Sequence, residues 1–249
     1  MSLLFFLLVF GLTIFLQRWL HRHIQAFALA LTGNPGFALR FLFYLLLPGI
    51  YLHEFSHYLA ARLLFVQVKK FDIGIGRPRK QQVSLGSVQI ARSDLLRESL
   101  IGAAPFIVGI GAILSIAGWG FGLSAETGFS LPQMMAQVRV NPRNWLTWLE
   151  LYLIFAVSTA MIPSESDREP WRWVLAVSGV LIAILFLLGW MPQVPPDLVV
   201  LAQRILDGLT FALGIAAAVN LVVAMALLIL ERTVQRISGR RVDFEVKRK

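Results

Sequence analysis

His53, Glu54 and His57 stand within five residues of one another in the segment YLHEFSHYLAARLL at 51–64. Two histidines four apart project from one face of an α-helix, about 5.4 Å from each other along its axis, and their rings can grip a single ion. Glu54 adjoins the first of them. From there its carboxylate can reach a water on the ion and take its proton without becoming a ligand. A metal such as Zn2+ lowers the pKa of bound water to about 7 and polarises a carbonyl under attack, so this spacing is a device for hydrolysis. The chain has four histidines and places two of them here, just after the apolar run FLFYLLLPGI at 41–50. Each ionisable group in lipid costs roughly 2.5–3.5 kcal/mol on insertion scales, a cost that histidines serving only as interhelical hydrogen-bonding groups would carry without the chemistry.

Catalytic zinc takes three protein ligands and keeps a position open. The third must come from elsewhere in the chain, on the side of the bilayer where the HEFSH helix ends, and MIPSESDREPW at 161–171 offers Glu165, Asp167 and Glu169 there. Pro163 and Pro170 frame that segment, which lets it leave helical geometry and turn a side chain inward. Pro48 and Gly49, one turn ahead of His53, either loosen the helix and admit water or form a packing kink.

The elements that must position these groups are transmembrane. The 249 residues are 57% hydrophobic and 15% charged, with a mean hydropathy of +0.70, far from a soluble domain. Apolar runs suited to a hydrocarbon core of about 30 Å fall near 3–17, 38–64, 100–122, 146–162, 172–191 and 209–230. They predict an all-α integral membrane protein of about six spans, a single polytopic domain over 1–249 with no soluble domain of useful size. The opening MSLLFFLLVFGLTIFLQRW has no basic region ahead of its apolar core and no A-x-A-like site after it, so it reads as a retained span. Cysteine is absent, which excludes disulfides and thiolate metal sites.

The net charge of +9 does not indicate nucleic acid, because the Lys and Arg residues flank apolar spans, where topology signals belong. With six spans, the loops at 65–99 and 163–171 and the basic tail at 231–249 share the side of the amino terminus. Sixteen Lys and Arg lie there, Arg172 included, against six opposite, which predicts both termini to be cytoplasmic. The tail ERTVQRISGRRVDFEVKRK is suited to anionic lipid or to a solvated, topology-fixing role.

Between the second and third spans, VQVKKFDIGIG and VSLGSVQIA alternate apolar and polar residues around RPRKQQ, the pattern of a small membrane-associated β-hairpin. An exposed edge of such a hairpin can hold an extended peptide by strand addition, with Ile73 and Val88 as candidate substrate-binding positions. Trp145 and Trp148 fit an interfacial aromatic belt. Asn220 suits an interhelical hydrogen bond, and His21 and His23, flanking Arg22 at the end of the first span, suit the interface.

HEFSH on the second span, the FDIGIG segment after it, Gly102-Ala103-Ala104-Pro105 opening the third span and a Pro-then-Asp segment ending the fourth together resemble the site-2 protease family of intramembrane zinc metalloproteases. The resemblance covers a catalytic core of about 38–170. It implies a Zn2+ cofactor on His53 and His57, Glu54 as general base, and a membrane-spanning segment of another protein as substrate. It also implies Asp167 as third ligand, in the place of the Asp of the family's N-x-x-P-x-x-x-L-D-G motif. Here the wording departs: Ala160 stands where the family has Asn, the interval from Pro163 to Asp167 is one residue shorter, and no Leu-Asp-Gly is present. Glu165 and Glu169 therefore stay open as ligands. Two rival readings are an inactive protease-like scaffold and a metal-binding or transport protein; the second asks for polar residues along several spans, and the last two contain almost none.

Overall fold

The computed structural model describes residues 3–76, 84–123, 136, 143–189 and 195–240. Among these residues six helices and a strand pair follow in order: α1 Leu3–Thr32, α2 Pro35–Leu63, β1 Val68–Ile73, β2 Gly86–Ile90, α3 Leu95–Phe121, α4 Trp145–Ala160, α5 Glu165–Leu187 and α6 Pro196–Ser238. Five of them, α1, α2, α3, α5 and α6, are long and apolar enough to cross a membrane. The sixth, α4, has 16 residues, about 24 Å at helical rise, short of a full hydrocarbon core. The turn-like RPRKQQ segment, Arg139 and the tail beyond Arg240 lie outside the described residues.

Local chemistry sets the helix boundaries. Asn34 starts α2 by accepting from the amides of Gly36 and Phe37, with Pro35 at the first helical position, where its missing N–H costs nothing. Asp94 starts α3 by accepting from the Arg97 amide, and Gly122, at φ 62°, ends it in the left-handed region. α2 ends differently: Phe65 sits at φ 58°, the Val66 amide bonds back to Ala61 O at 2.8 Å, and Val66 packs on Ala61. This is the geometry of a Schellman cap with phenylalanine where glycine is usual. It reverses the chain.

After that reversal the strands fold back along α2. β1 and β2 pair antiparallel, with Val68 opposite Ile90, Phe71 opposite Val88 and Ile73 opposite Gly86. The open end of the pair packs on Ala60, Ala61, Leu64 and Ile101, Phe71 meets the Tyr58 ring edge-on at 5.6 Å, and Gly86 lies against Glu54. The described part of the hairpin thus covers α2 from its carboxyl-terminal end down to the HEFSH turns.

α2 and α4 run parallel at a constant register. Tyr152 Oη donates to Leu45 O at 3.0 Å, Gly49 abuts the Ala156 carbonyl so closely that no Cβ would fit, and His53 reaches Ala160 O. Each of these pairs is 107 residues apart. Pro48 leaves α2 continuous, and the use of Gly49 is this close approach to α4.

α1 and α6 differ from the sequence expectation. The apolar run 3–17 lies within a 30-residue helix and the run 209–230 within one of 43, so Arg18, His21, Arg22 and His23 sit inside α1 and not after it. His23 has a partner across the helix pair: its Nδ1 is 2.6 Å from Glu231 Oε2 of α6, and Glu231 is buried. Gly33, after α1, lies beside the Arg240 guanidinium, after α6. The two helices therefore run in the same direction, and their outer ends, Leu3 and Ser238, fall at opposite ends of the bundle. The expectation of both termini on one side rests on six full crossings; among the described residues five helices are long and apolar enough to cross.

The main core joins α1, α2, α3, α4 and α6, with Leu20, Leu46, Ile113, Ile154, Leu213 and Ile215 fully enclosed. Within it Ser158 Oγ donates to Asn220 Oδ1 at 3.1 Å, the interhelical bond expected of Asn220. α5 has no buried residue; it leans on α3, where the Trp171 indole donates to Ser99 O at 3.0 Å.

Candidate metal centre

His53 and His57 occupy consecutive turns of α2, and both rings are fixed from behind by main-chain carbonyls. His53 Nδ1 lies 2.7 Å from Ala160 O and His57 Nδ1 lies 2.9 Å from Ile101 O. A carbonyl oxygen only accepts, so each Nδ1 carries the proton, and in the neutral ring each Nε2 then presents a lone pair. The two Nε2 atoms face one another at 3.2 Å.

Asp167 brings its carboxylate to the same point. Oδ1 is 3.4 Å from His57 Nε2 and Oδ2 is 3.7 Å from His53 Nε2. Its orientation comes from the start of α5, where Ser164 and Asp167 form a capping box: the Ser164 amide donates to Asp167 Oδ2 at 2.7 Å and the Asp167 amide to Ser164 Oγ at 3.4 Å. The carboxylate is held by a local helix-starting motif while facing two histidines from another helix.

With both rings neutral, three electron-pair donors thus converge, an arrangement that a cation between them, a metal ion or a proton, satisfies. Nitrogen or oxygen ligands at about 2.0–2.1 Å from a tetrahedral ion stand about 3.3–3.4 Å from one another; the two Nε2 atoms at 3.2 Å and the His57 Nε2–Asp167 Oδ1 pair at 3.4 Å lie near that spacing, while the other carboxylate oxygen, Oδ2, is 3.7 Å from His53 Nε2. Among the described residues, His53, His57 and Asp167 form the group that can hold a metal ion. Glu165 and Glu169 are exposed and stand outside it.

Glu54 is buried at 9% exposure and interacts electrostatically with His53, His57 and Asp167. It does not belong to the three-ligand group. A Cβ placed on Gly86 would stand 2.6 Å from Glu54 Cγ and 2.7 Å from Oε1, so the glycine at the start of β2 is what leaves room for this carboxylate. Of the two hairpin positions singled out in the sequence, Ile73 packs against the main core and Val88 is half-buried opposite Phe71. An apolar pocket of about 510 Å3 is lined by Leu47, Pro48, Tyr51 and Leu52 of α2, Ala112 and Ile116 of α3, and Leu153 and Val157 of α4.

Several positioning groups carry no reactive side chain and were missed in the sequence. The carbonyls of Ala160 and Ile101 and the glycine at 86 are of this kind; Gly49 and Gly102 stand out in the sequence as a kink and as part of the Gly-Ala-Ala-Pro element but not for the clearance they give, and a Cβ on Gly102 would collide with the Asp167 carbonyl. The Ser164-to-Asp167 interval was a readable signal, since S-x-x-acid marks a helix start. The Gly86 contact had none. No protein-family model, no curated protein and no solved structure matches the chain.

Proposed function

We propose that the protein is an intramembrane zinc metalloprotease, hydrolysing peptide bonds in or near transmembrane segments of other membrane proteins, with His53, His57 and Asp167 as ligands and Glu54 as general base. One observation carries the reading: one donor atom each of His53, His57 and Asp167 lies within 4.8 Å of the other two, inside a bundle of apolar helices, beside a further carboxylate, Glu54, that stands outside the group. Zinc bound there would supply a Lewis acid for the scissile carbonyl and a water acidic enough to attack at neutral pH.

The chain's own residues account for the remainder. The capping box and the two main-chain carbonyls hold the ligands before any metal arrives. Glu54 takes the proton of the attacking water and returns it to the leaving amine. A peptide bond in a helix is hydrogen-bonded and covered, so a substrate must unwind to be cut. A two-stranded sheet leaves an outer edge on each strand, and β2, beginning at Glu54, can receive the unwound segment by strand addition. The family resemblance of HEFSH, of the hairpin and of the Pro-to-Asp segment supports the same assignment. A scaffold that only held metal would have no use for a carboxylate at the position of Glu54.

The test is co-reconstitution of the purified protein in liposomes with a panel of single-span membrane proteins, reading new peptide termini by mass spectrometry. Cleavage should cease on chelation and return with added Zn2+. Metal binding without any metal-dependent cleavage would leave the scaffold or transport reading in its place.

A further inference from the structure

The two carbonyls that fix the histidine rings are unusual acceptors, because a carbonyl within a helix normally accepts from the amide four residues on. Ala160 is the last residue of α4, and the Ser164 amide that would follow it in register donates to Asp167 instead. Its carbonyl is free because the helix stops. Ile101 lies well inside α3, where no such reason exists. The residue four positions on, however, is Pro105, which has no N–H to give. Pro105 is buried within the same helix. At the same helix end as Ala160, Thr159 O likewise accepts a side chain, Gln17 Nε2 of α1 at 2.7 Å.

We propose that Pro105 is a positioning residue of the metal centre, whose function is to withhold an amide hydrogen so that Ile101 O is left to accept from His57 Nδ1. The proposal rests on the metal-site reading above and deepens it. A proline inside a helix ordinarily disturbs the ladder; here the gap in the ladder is filled by a ligand's ring. The bond fixes the ring tautomer that leaves Nε2 for the ion, and such partners behind a ligating histidine typically change metal affinity by about 10–100-fold when removed. A carbonyl already bonded to an amide in its own helix would be a weaker and less well-directed acceptor for the ring.

The experiment is Co2+ and Zn2+ titration of the full-length protein in detergent, comparing wild type, Pro105→Ala, and a protein carrying the α-hydroxy acid analogue of alanine at position 105. Alanine restores an amide hydrogen there; the hydroxy acid puts an ester oxygen in its place and again has none. Pro105→Ala should weaken metal binding about 10–100-fold and shift the visible absorption of bound Co2+, while the ester variant returns both to wild-type values. A purely structural role for the proline ring predicts instead that the two substitutions behave alike. Unchanged affinity and spectrum in Pro105→Ala, or failure of the ester to rescue, overturns the inference while the metal centre stands. A wild-type protein that binds neither ion overturns the metal centre itself.

Discussion

Gly86 and Glu54 are so placed that any side chain on the first would enter the space of the carboxylate on the second, with Cβ 2.6 Å from Cγ. The hairpin and the Glu54 carboxylate are therefore one unit: where β2 begins, the place of that carboxylate is decided. Gly86→Ala should turn Glu54 away from the metal group, and misplacement of a reacting group by about 1 Å can cost on the order of a hundredfold in rate. We expect cleavage to fall about 10–100-fold with zinc content unchanged. A rate equal to wild type would mean that the side chain of Glu54 yields freely and that Gly86 has no part in setting it.

The carboxylate that completes the centre is separable from its neighbours by substitution. Asp167→Ala should lower zinc occupancy and activity together, since catalytic zinc normally rests on three protein ligands. It also removes the cap bond from the Ser164 amide, worth about 1 kcal/mol of helix stability. Asp167→Asn keeps an acceptor for that amide, so loss of zinc in both variants at matched folding assigns the effect to the ligand. Glu165→Ala and Glu169→Ala should retain full metal stoichiometry; an emptied site in either would transfer the third ligand to that residue.

The parallel pairing of α1 and α6, carried by His23 with Glu231 and by Gly33 beside Arg240, has a consequence for topology. The chain has no cysteine, so single cysteines in place of Leu4 and Ser238 report without background. A membrane-impermeant maleimide should label them from opposite faces of the bilayer in sealed vesicles. Labelling from one face would contradict the helix directions and restore the six-crossing arrangement.

Much of the candidate metal group was legible in the sequence because it lies in short-range spacing. His53, Glu54 and His57 needed only the helical period, and the strand pair showed in the alternation of 66–76 and 83–91. The assembly of Asp167 with them followed from resemblance alone, for nothing in composition distinguishes it from Glu165 and Glu169; its selection is physical, through the Ser164 capping box and the close approach of Gly102 to its backbone. The helix lengths were misread at Arg18 to His23. Charges do not by themselves end a helix, and here α1 continues through them, with the half-buried His23 paired to the buried Glu231 of α6. Main-chain carbonyls and glycine clearances depend on which helix passes which, and this is fixed only in three dimensions.

The central claim is that a water is activated between the metal group and Glu54, and it is tested most directly by cleavage and zinc stoichiometry measured together on wild type and Glu54→Gln in the same liposomes. Gln keeps the size of the side chain and cannot take the proton, so loss of general base catalysis should lower the rate by about 10²–10⁴-fold while zinc stays bound at wild-type stoichiometry. Equal cleavage by the two proteins, with zinc present in both, would contradict the account.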